Sequence, residues 1–229
     1  MIGRQNNLHN KTHRASDNPI LSILPHHQSI SKKTVAKVFS SFVILLFFLT
    51  SSSRKSRSNQ VIEEGMVTLQ LKSTAFLNGE SIPKKFTREG EDLSPPLSWT
   101  GTPAGTKSLA LIVDDPDAPD PIAPQVTWVH WVAYNIEPDV SGLQEGAASK
   151  HNTTAKLPAG MQEGLNDWKN VGYEGPNPPR GRHRYFHKLY ALDTILEGLD
   201  NPTKAMLEAA MEGHVLDKTE LIGTYAKSA

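Results

Sequence analysis

Trp128-Val129-His130-Trp131-Val132-Ala133-Tyr134-Asn135-Ile136 decides the fold. The run is rich in β-branched and aromatic residues, and it reads as a central strand. Three other stretches share its character. Leu109-Ala110-Leu111-Ile112-Val113 is a continuous apolar run of strand length, Arg184 to Leu192 is a second β-rich run, and Val67-Thr68-Leu69-Gln70-Leu71 alternates as a half-buried strand does. Leu221-Ile222-Gly223-Thr224-Tyr225 predicts a closing strand. Breakers separate these runs: Ser94-Pro95-Pro96, Gly101 to Gly105, Pro116 to Pro124 and Gly175 to Gly181. One helix is predicted, with Asn201 as N-cap, Pro202 at the first position, Thr203 to Met211 as helix formers and Gly213 as the stop. Many strands, few helices and no internal repeat do not fit a repeated βαβ pattern. The expected class is mainly β, two packed antiparallel sheets with one or two short helices.

Composition narrows the function. The chain has 229 residues, with 24 Lys+Arg, 24 Asp+Glu, 9 His and no Cys. Residues 1–60 carry nine basic side chains and the single acid Asp17, while residues 61–229 carry 15 basic and 23 acidic ones. An acidic globular part excludes a nucleic-acid footprint over it. The lack of cysteine excludes a disulfide scaffold, a thiolate metal site and a cysteine nucleophile. A zinc site of His and carboxylate stays open. The globular part, 67–226, has the size of one domain with one core.

Residues 1–60 form a basic, serine-rich extension outside that domain, expected to be disordered or weakly helical. The charge-free stretch Val38 to Ser53 is sixteen residues, which as a helix spans only ~24 Å of a ~30 Å hydrocarbon core. Three basic residues on each side of it give no orientation signal. An organelle-import segment and a marginal membrane anchor are the functional readings. The expected location is cytoplasmic, with organelle or membrane as the alternative. Asn10 and Asn152 head two glycosylation sequons, which mean little without evidence of secretion.

Chemistry-bearing residues gather in two places. Asp114-Asp115-Pro116-Asp117-Ala118-Pro119-Asp120-Pro121 packs four carboxylates and three prolines into eight residues after an apolar strand. Solvated loop acids are the ordinary reading, but prolines confine Asp115 and Ala118, so a carboxylate here can hold its direction. Trp128 and His130 share a strand face, as do His183 and Tyr185, with Arg184 and Phe186 on the opposite face. A lone histidine in such a strand is more often a satisfied core residue than a ligand. Two imidazoles, a phenol and a carboxylate converging would make a small polar site in an apolar wall, and spacing alone does not show that convergence. No nucleophile elbow, P-loop, dinucleotide fingerprint or His-Glu-x-x-His motif occurs. Met206 and Met211 read as core packing. His151, His187 and His214 have no companions that suggest a role.

Three stretches in order resemble the phosphatidylethanolamine-binding protein family: Asp115-Pro116-Asp117-Ala118-Pro119, Trp128-Val129-His130-Trp131, and Gly175-Pro176-Asn177-Pro178-Pro179 leading to His183-Arg184-Tyr185. Within it the chain is most similar to the bacterial-type, Raf-kinase-inhibitor-like branch, over about residues 67–226. Leu93-Ser94-Pro95-Pro96-Leu97-Ser98-Trp99 and the closing strand fit that branch too. The resemblance implies two antiparallel sheets and an anion pocket for phosphate-like groups, such as a phospholipid headgroup or a phosphorylated ligand. Its pocket positions fall on Asp115, Trp128, His130, His183 and Tyr185, with Pro178 on the rim. Asp117 and Arg184 match structural positions, and we expect them to pair and brace the loop. The resemblance implies a non-catalytic binder, no cofactor and no metal. Expected partners are the phosphate-like ligand, a kinase or protease target under inhibition, and a second copy in a homodimer. The chain departs from the family at His187 and Lys188, where members often carry apolar and uncharged residues. Such a polar pair would either weaken the core strand or face water at an edge. The long carboxy-terminal helix of the animal-type branch is missing from the pattern.

An anion would meet donors from His130, His183 and Tyr185, with Asp115 orienting one imidazole. With a free histidine near ~6.5, binding should strengthen as pH falls toward ~6. The competing readings are a hydrolase using the same residues with water or a metal, and a scaffold with a vestigial pocket.

Overall fold

The structure, a computed structural model, describes residues 68–148 and 156–228. The expectations for residues 1–60, Val67, His151 and Asn152 lie outside the described residues. Eight strands and one helix follow in chain order: β1 Gln70–Lys72, β2 Leu97–Thr100, β3 Ser108–Ala118, β4 Val126–Ile136, β5 Gly142–Leu143, β6 Gln162–Glu163, β7 His183–Leu192, α1 Lys204–Met211 and β8 Val215–Tyr225. A short 3-10 turn, Lys84–Phe86, precedes β2. All named strand pairs are antiparallel. A small sheet runs β1-β2-β5, and a larger one runs β6-β4-β3-β7-β8. The class is mainly β, as the sequence predicts.

The centre of the large sheet is apolar on both faces because both are covered. Leu109, Leu111 and Val113 of β3 join Leu71, Leu97, Trp99 and Leu143 of the small sheet in one core. Ala110 and Ile112, on the opposite face, pack with Leu207 and Met211 of α1 in a second core. Burial on two sides explains why Leu109 to Val113 shows no alternation. Met211 is core packing, as expected, whereas Met206 is half exposed.

The β3–β4 ladder is broken by three register shifts, and they position the site. Val113 pairs with Trp131 and Asp114 with Val129, so His130 is the extra residue of a bulge. Asp115 pairs with Trp128 and Ala118 with Val126, which leaves Pro116 and Asp117 as a bulge on β3. Pro116 lacks an N–H, so a bulge is where a strand accommodates it. Bulges re-aim side chains and gather beside functional sites.

Several sequence expectations are corrected. Asp114 to Ala118 is not a loop after the strand but the buried end of β3 itself. Asp114 is fully buried on the helix side, with Lys188 Nζ at 2.8 Å and Lys204 Nζ at 2.6 Å. Lys188 thereby faces neither a weakened core nor an edge, since β7 lies between β3 and β8 and its ammonium has a counter-charge. His187, on the other face, is fully buried with its ring 5.5 Å from Phe76. The N-cap of α1 is Thr203, whose Oγ1 accepts from the Met206 N–H at 3.4 Å, while Asn201 takes φ +45° in the turn before it. β8 begins at Val215, six residues before the predicted Leu221.

Candidate functional site

A cavity of about 360 Å³ opens at the bulged ends of β3 and β4 and the start of β7. Asp115, Trp128, His130, Pro178, His183 and Tyr185, the six binding residues expected from the sequence, all line it. Trp168, Asn177, Gln125 and Val126 line it as well and were not anticipated. Trp168 sits between β6 and β7 in a segment without periodic pattern, so only its residue type signalled it.

The ring geometry is specific. His130 meets Tyr185 edge-on at 5.1 Å between centroids and Trp168 likewise at 5.1 Å. Trp128 contacts Trp168 at 5.3 Å, and His183 stacks on Tyr185 at 6.4 Å. The walls are aromatic, and Asp115 is the only carboxylate among the lining residues.

Hydrogen bonds assign the protons. His130 Nδ1 lies 2.6 Å from the Glu174 carbonyl oxygen, which only accepts, so Nδ1 carries the hydrogen and Nε2 is the open nitrogen. Burial pushes the His130 imidazole down to about 4, so it is neutral at ordinary pH. His183 Nε2 lies 2.9 Å from the Arg180 carbonyl and must donate to it. Its Nδ1 then faces Asp115 Oδ2 at 2.6 Å. One proton between them is required, held either as imidazolium with carboxylate or as imidazole with carboxylic acid. Both arrangements sum to zero charge. Burial drives the Asp115 carboxyl upward, against the pull of its His183 hydrogen bond. Asp115 Oδ1 also accepts from the Asp117 N–H at 2.8 Å.

Two expectations change as a result. Both His183 nitrogens are committed within the protein, so its ring orients and neutralises rather than offering a free donor. His130 starts from about 4 rather than the ordinary range, so its gain of a proton is displaced toward lower pH. The Tyr185 hydroxyl, an expected donor, and the Trp128 indole N–H are both buried and have no hydrogen-bond partner. Burial and the nearby Asp115 hold the Tyr185 hydroxyl far above its usual range, so it keeps its proton.

Beside the cavity, Arg184 grips Asp117 with Nη2 at 2.7 Å and Nε at 2.9 Å, and the Arg184 backbone N–H adds a third bond at 2.9 Å. The Arg184 hydrogen bond holds the Asp117 carboxyl below the usual range despite partial burial. This fork ties the β3 bulge to β7. The opposite rim, Gly175 to Pro179, is pinned by Asp92 Oδ1, which accepts from the Gly175 N–H at 2.7 Å. A Cβ at Gly175 would stand 2.4 Å from the Phe86 carbonyl oxygen, so only glycine permits that approach.

The comparisons with known proteins agree with this architecture. The sequence model described as "Phosphatidylethanolamine-binding protein" matches residues 72–226. A protein of Methanothermobacter thermautotrophicus described as "UPF0098 protein" is 48% identical over 159 residues, covering 69% of this chain and 99% of its own length. Among solved structures, a putative phosphatidylethanolamine-binding protein homologue from Chlamydia trachomatis superposes with a TM-score of 0.63 at 41% identity, over 71% of this chain and 99% of that one. Escherichia coli YbcL, described as a member of the mammalian family, gives 0.63 at 33% identity, over 70% and 99%. The chain therefore belongs to the phosphatidylethanolamine-binding protein family.

Proposed function

We propose that the chain is a non-catalytic binding protein whose cavity takes a phosphate-like oxyanion, the chemistry shared by a phospholipid headgroup and a phosphorylated side chain. Membership of the family supports a function of the binding kind. The observation that carries the oxyanion reading is the pair of buried donors without partners, Trp128 Nε1 and the Tyr185 hydroxyl, on residues lining one cavity. An indole N–H can only donate. A buried donor left unmade costs roughly 1–3 kcal/mol, and a guest rich in acceptors removes that cost. His130 Nε2 adds a third donor once it takes a proton. The neutral Asp115–His183 pair spares the guest the repulsion that an unpaired carboxylate would exert. By this reading a kinase or protease target is inhibited through occupancy, without turnover.

A hydrolase with a metal at the same residues has weaker support. His183 offers no open nitrogen and His130 only one. Among the described residues no group of three His, Asp or Glu is placed to hold an ion.

Calorimetric titration with dimethyl phosphate tests the proposal, because this monoanion keeps its charge across the working pH range. The expected result is saturable binding to the unaltered protein. Tyr185→Phe and His130→Ala should each weaken it by roughly 5- to 100-fold, the worth of one charge-assisted hydrogen bond. Full affinity in Tyr185→Phe would overturn the assignment.

A further inference from the structure

Arg88 does not line the cavity, yet three of its contacts reach the segment that forms two of the cavity's walls. Its backbone N–H donates to the Pro176 carbonyl at 3.1 Å, on the rim that carries Asn177 and Pro178. Its guanidinium stacks over the Trp168 ring, 4.9 Å from the centroid. The same guanidinium places Nη1 3.2 Å from Glu174 Oε2. Glu174 in turn runs beside His130: its carbonyl accepts from His130 Nδ1 at 2.6 Å, and its N–H donates to the His130 carbonyl at 3.1 Å. Its other carboxylate oxygen accepts from Asn170 Nδ2 at 2.6 Å, two residues beyond Trp168.

We propose that Arg88 is a positioning residue of the site, its guanidinium fixing the Trp168 wall by stacking and the His130 tautomer through Glu174. The proposal rests on the oxyanion reading of the cavity and goes beyond it. It names the residue that makes the cavity selective for an oxyanion bearing a flat or apolar substituent over a bare ion. The oxyanion meets the donors of Trp128, Tyr185 and His130, and the substituent lies against Trp168. A cation over an indole is a directed contact, and a planar guanidinium stacks where an ammonium does not. The charge matters separately. His130 also feels Asp114 on β3, Asp167 and Glu174 on the connection before β7, His187 and Tyr185 on β7, and the neutral Asp115–His183 pair. Arg88 offsets the Glu174 carboxylate within that field, so its removal should favour the imidazolium form of His130.

Two variants of the full chain separate the roles. Arg88→Met removes the charge and the stack, whereas Arg88→Lys keeps the charge and removes the planar fork. In ligand-free protein the His130 ring titration, followed by NMR, should move to higher pH in Arg88→Met. It should stay in place in Arg88→Lys, and return when Glu174→Gln is added to Arg88→Met. Calorimetry with phenyl phosphate and inorganic phosphate should show both variants losing roughly fivefold for the aryl ester and less for the bare ion. A residue that only props the fold would lower the melting temperature and leave the titration midpoint and the ratio of the two affinities alone; that result overturns the proposal. So does an unmoved His130 midpoint in folded Arg88→Met. If the unaltered protein binds neither phosphate, the oxyanion reading fails by itself, and the selectivity claim fails with it.

Discussion

Two histidines with the same sequence signature, each a lone imidazole inside an apolar strand, have different surroundings. His130 is anchored by one nitrogen and borders a cavity, whereas His187 is walled in beside Phe76, against the backbone of Tyr185 and Leu221. Burial pushes both down to about 4, from 6.5 in an open chain. Between those values the unfolded chain binds more protons than the folded one, so stability is full above 6.5 and falls as pH drops toward 4. Each histidine contributes on the order of 3 kcal/mol to that loss. His187→Leu should therefore flatten the acid limb of urea-unfolding stability against pH while leaving anion binding intact; parallel limbs would show that His187 is not buried neutral. The sequence places Asp115, Trp128, His130, His183 and Tyr185 together only through the family resemblance, since their spacing says nothing of convergence. It does not reveal that both His183 nitrogens are spent inside the protein, because a tautomer depends on a carbonyl, that of Arg180, whose position no side-chain pattern encodes.

At the scale of elements, the acid-and-proline run 114–118 reads as loop because its composition is that of a breaker, and the fold keeps it as strand by bulging. Each carboxylate there has its own partner: Asp114 its two lysines, Asp115 the His183 ring, Asp117 the Arg184 fork. Asp114→Asn should cost about 2–3 kcal/mol in urea unfolding, because two half-buried ammonium groups lose their common counter-charge. A loss below about 0.5 kcal/mol would mean that water already screens the cluster. The helix start gives a paired check. Thr203→Ala removes the cap and should cost about 1 kcal/mol. Asn201→Gly relieves a positive φ and should be neutral or slightly stabilising. The reverse order would restore Asn201 as the cap. The N-cap is misplaced in sequence because Asn201-Pro202 and Thr203 offer two start signals two residues apart, and local pattern does not rank them.

Across the whole molecule, strand identity is legible while strand order is not. Apolar runs mark β3, β4 and β7, but that β3 sits between β4 and β7, with β8 beyond, follows from pairing across long separations. The two-residue strands β5 and β6 are too short to carry a period. The two cores explain why a mostly antiparallel protein has a central strand buried on both faces, and why the polar groups concentrate where that strand ends. There the small sheet's core and the cavity meet at Tyr185, which packs in the first and lines the second. The proposed oxyanion function is tested most directly at the two buried donors without partners, Trp128 Nε1 and the Tyr185 hydroxyl, on residues that line the cavity. In a ¹⁵N-labelled sample titrated with dimethyl phosphate, the Trp128 indole N–H resonance should shift downfield and saturate with the same affinity as calorimetry. The shift should be larger at about pH 5 than at about pH 8, because the guest raises the His130 pKa. A Trp128 resonance that stays in place while the ligand binds elsewhere, or that does not respond at either pH, would contradict an oxyanion seat in this cavity.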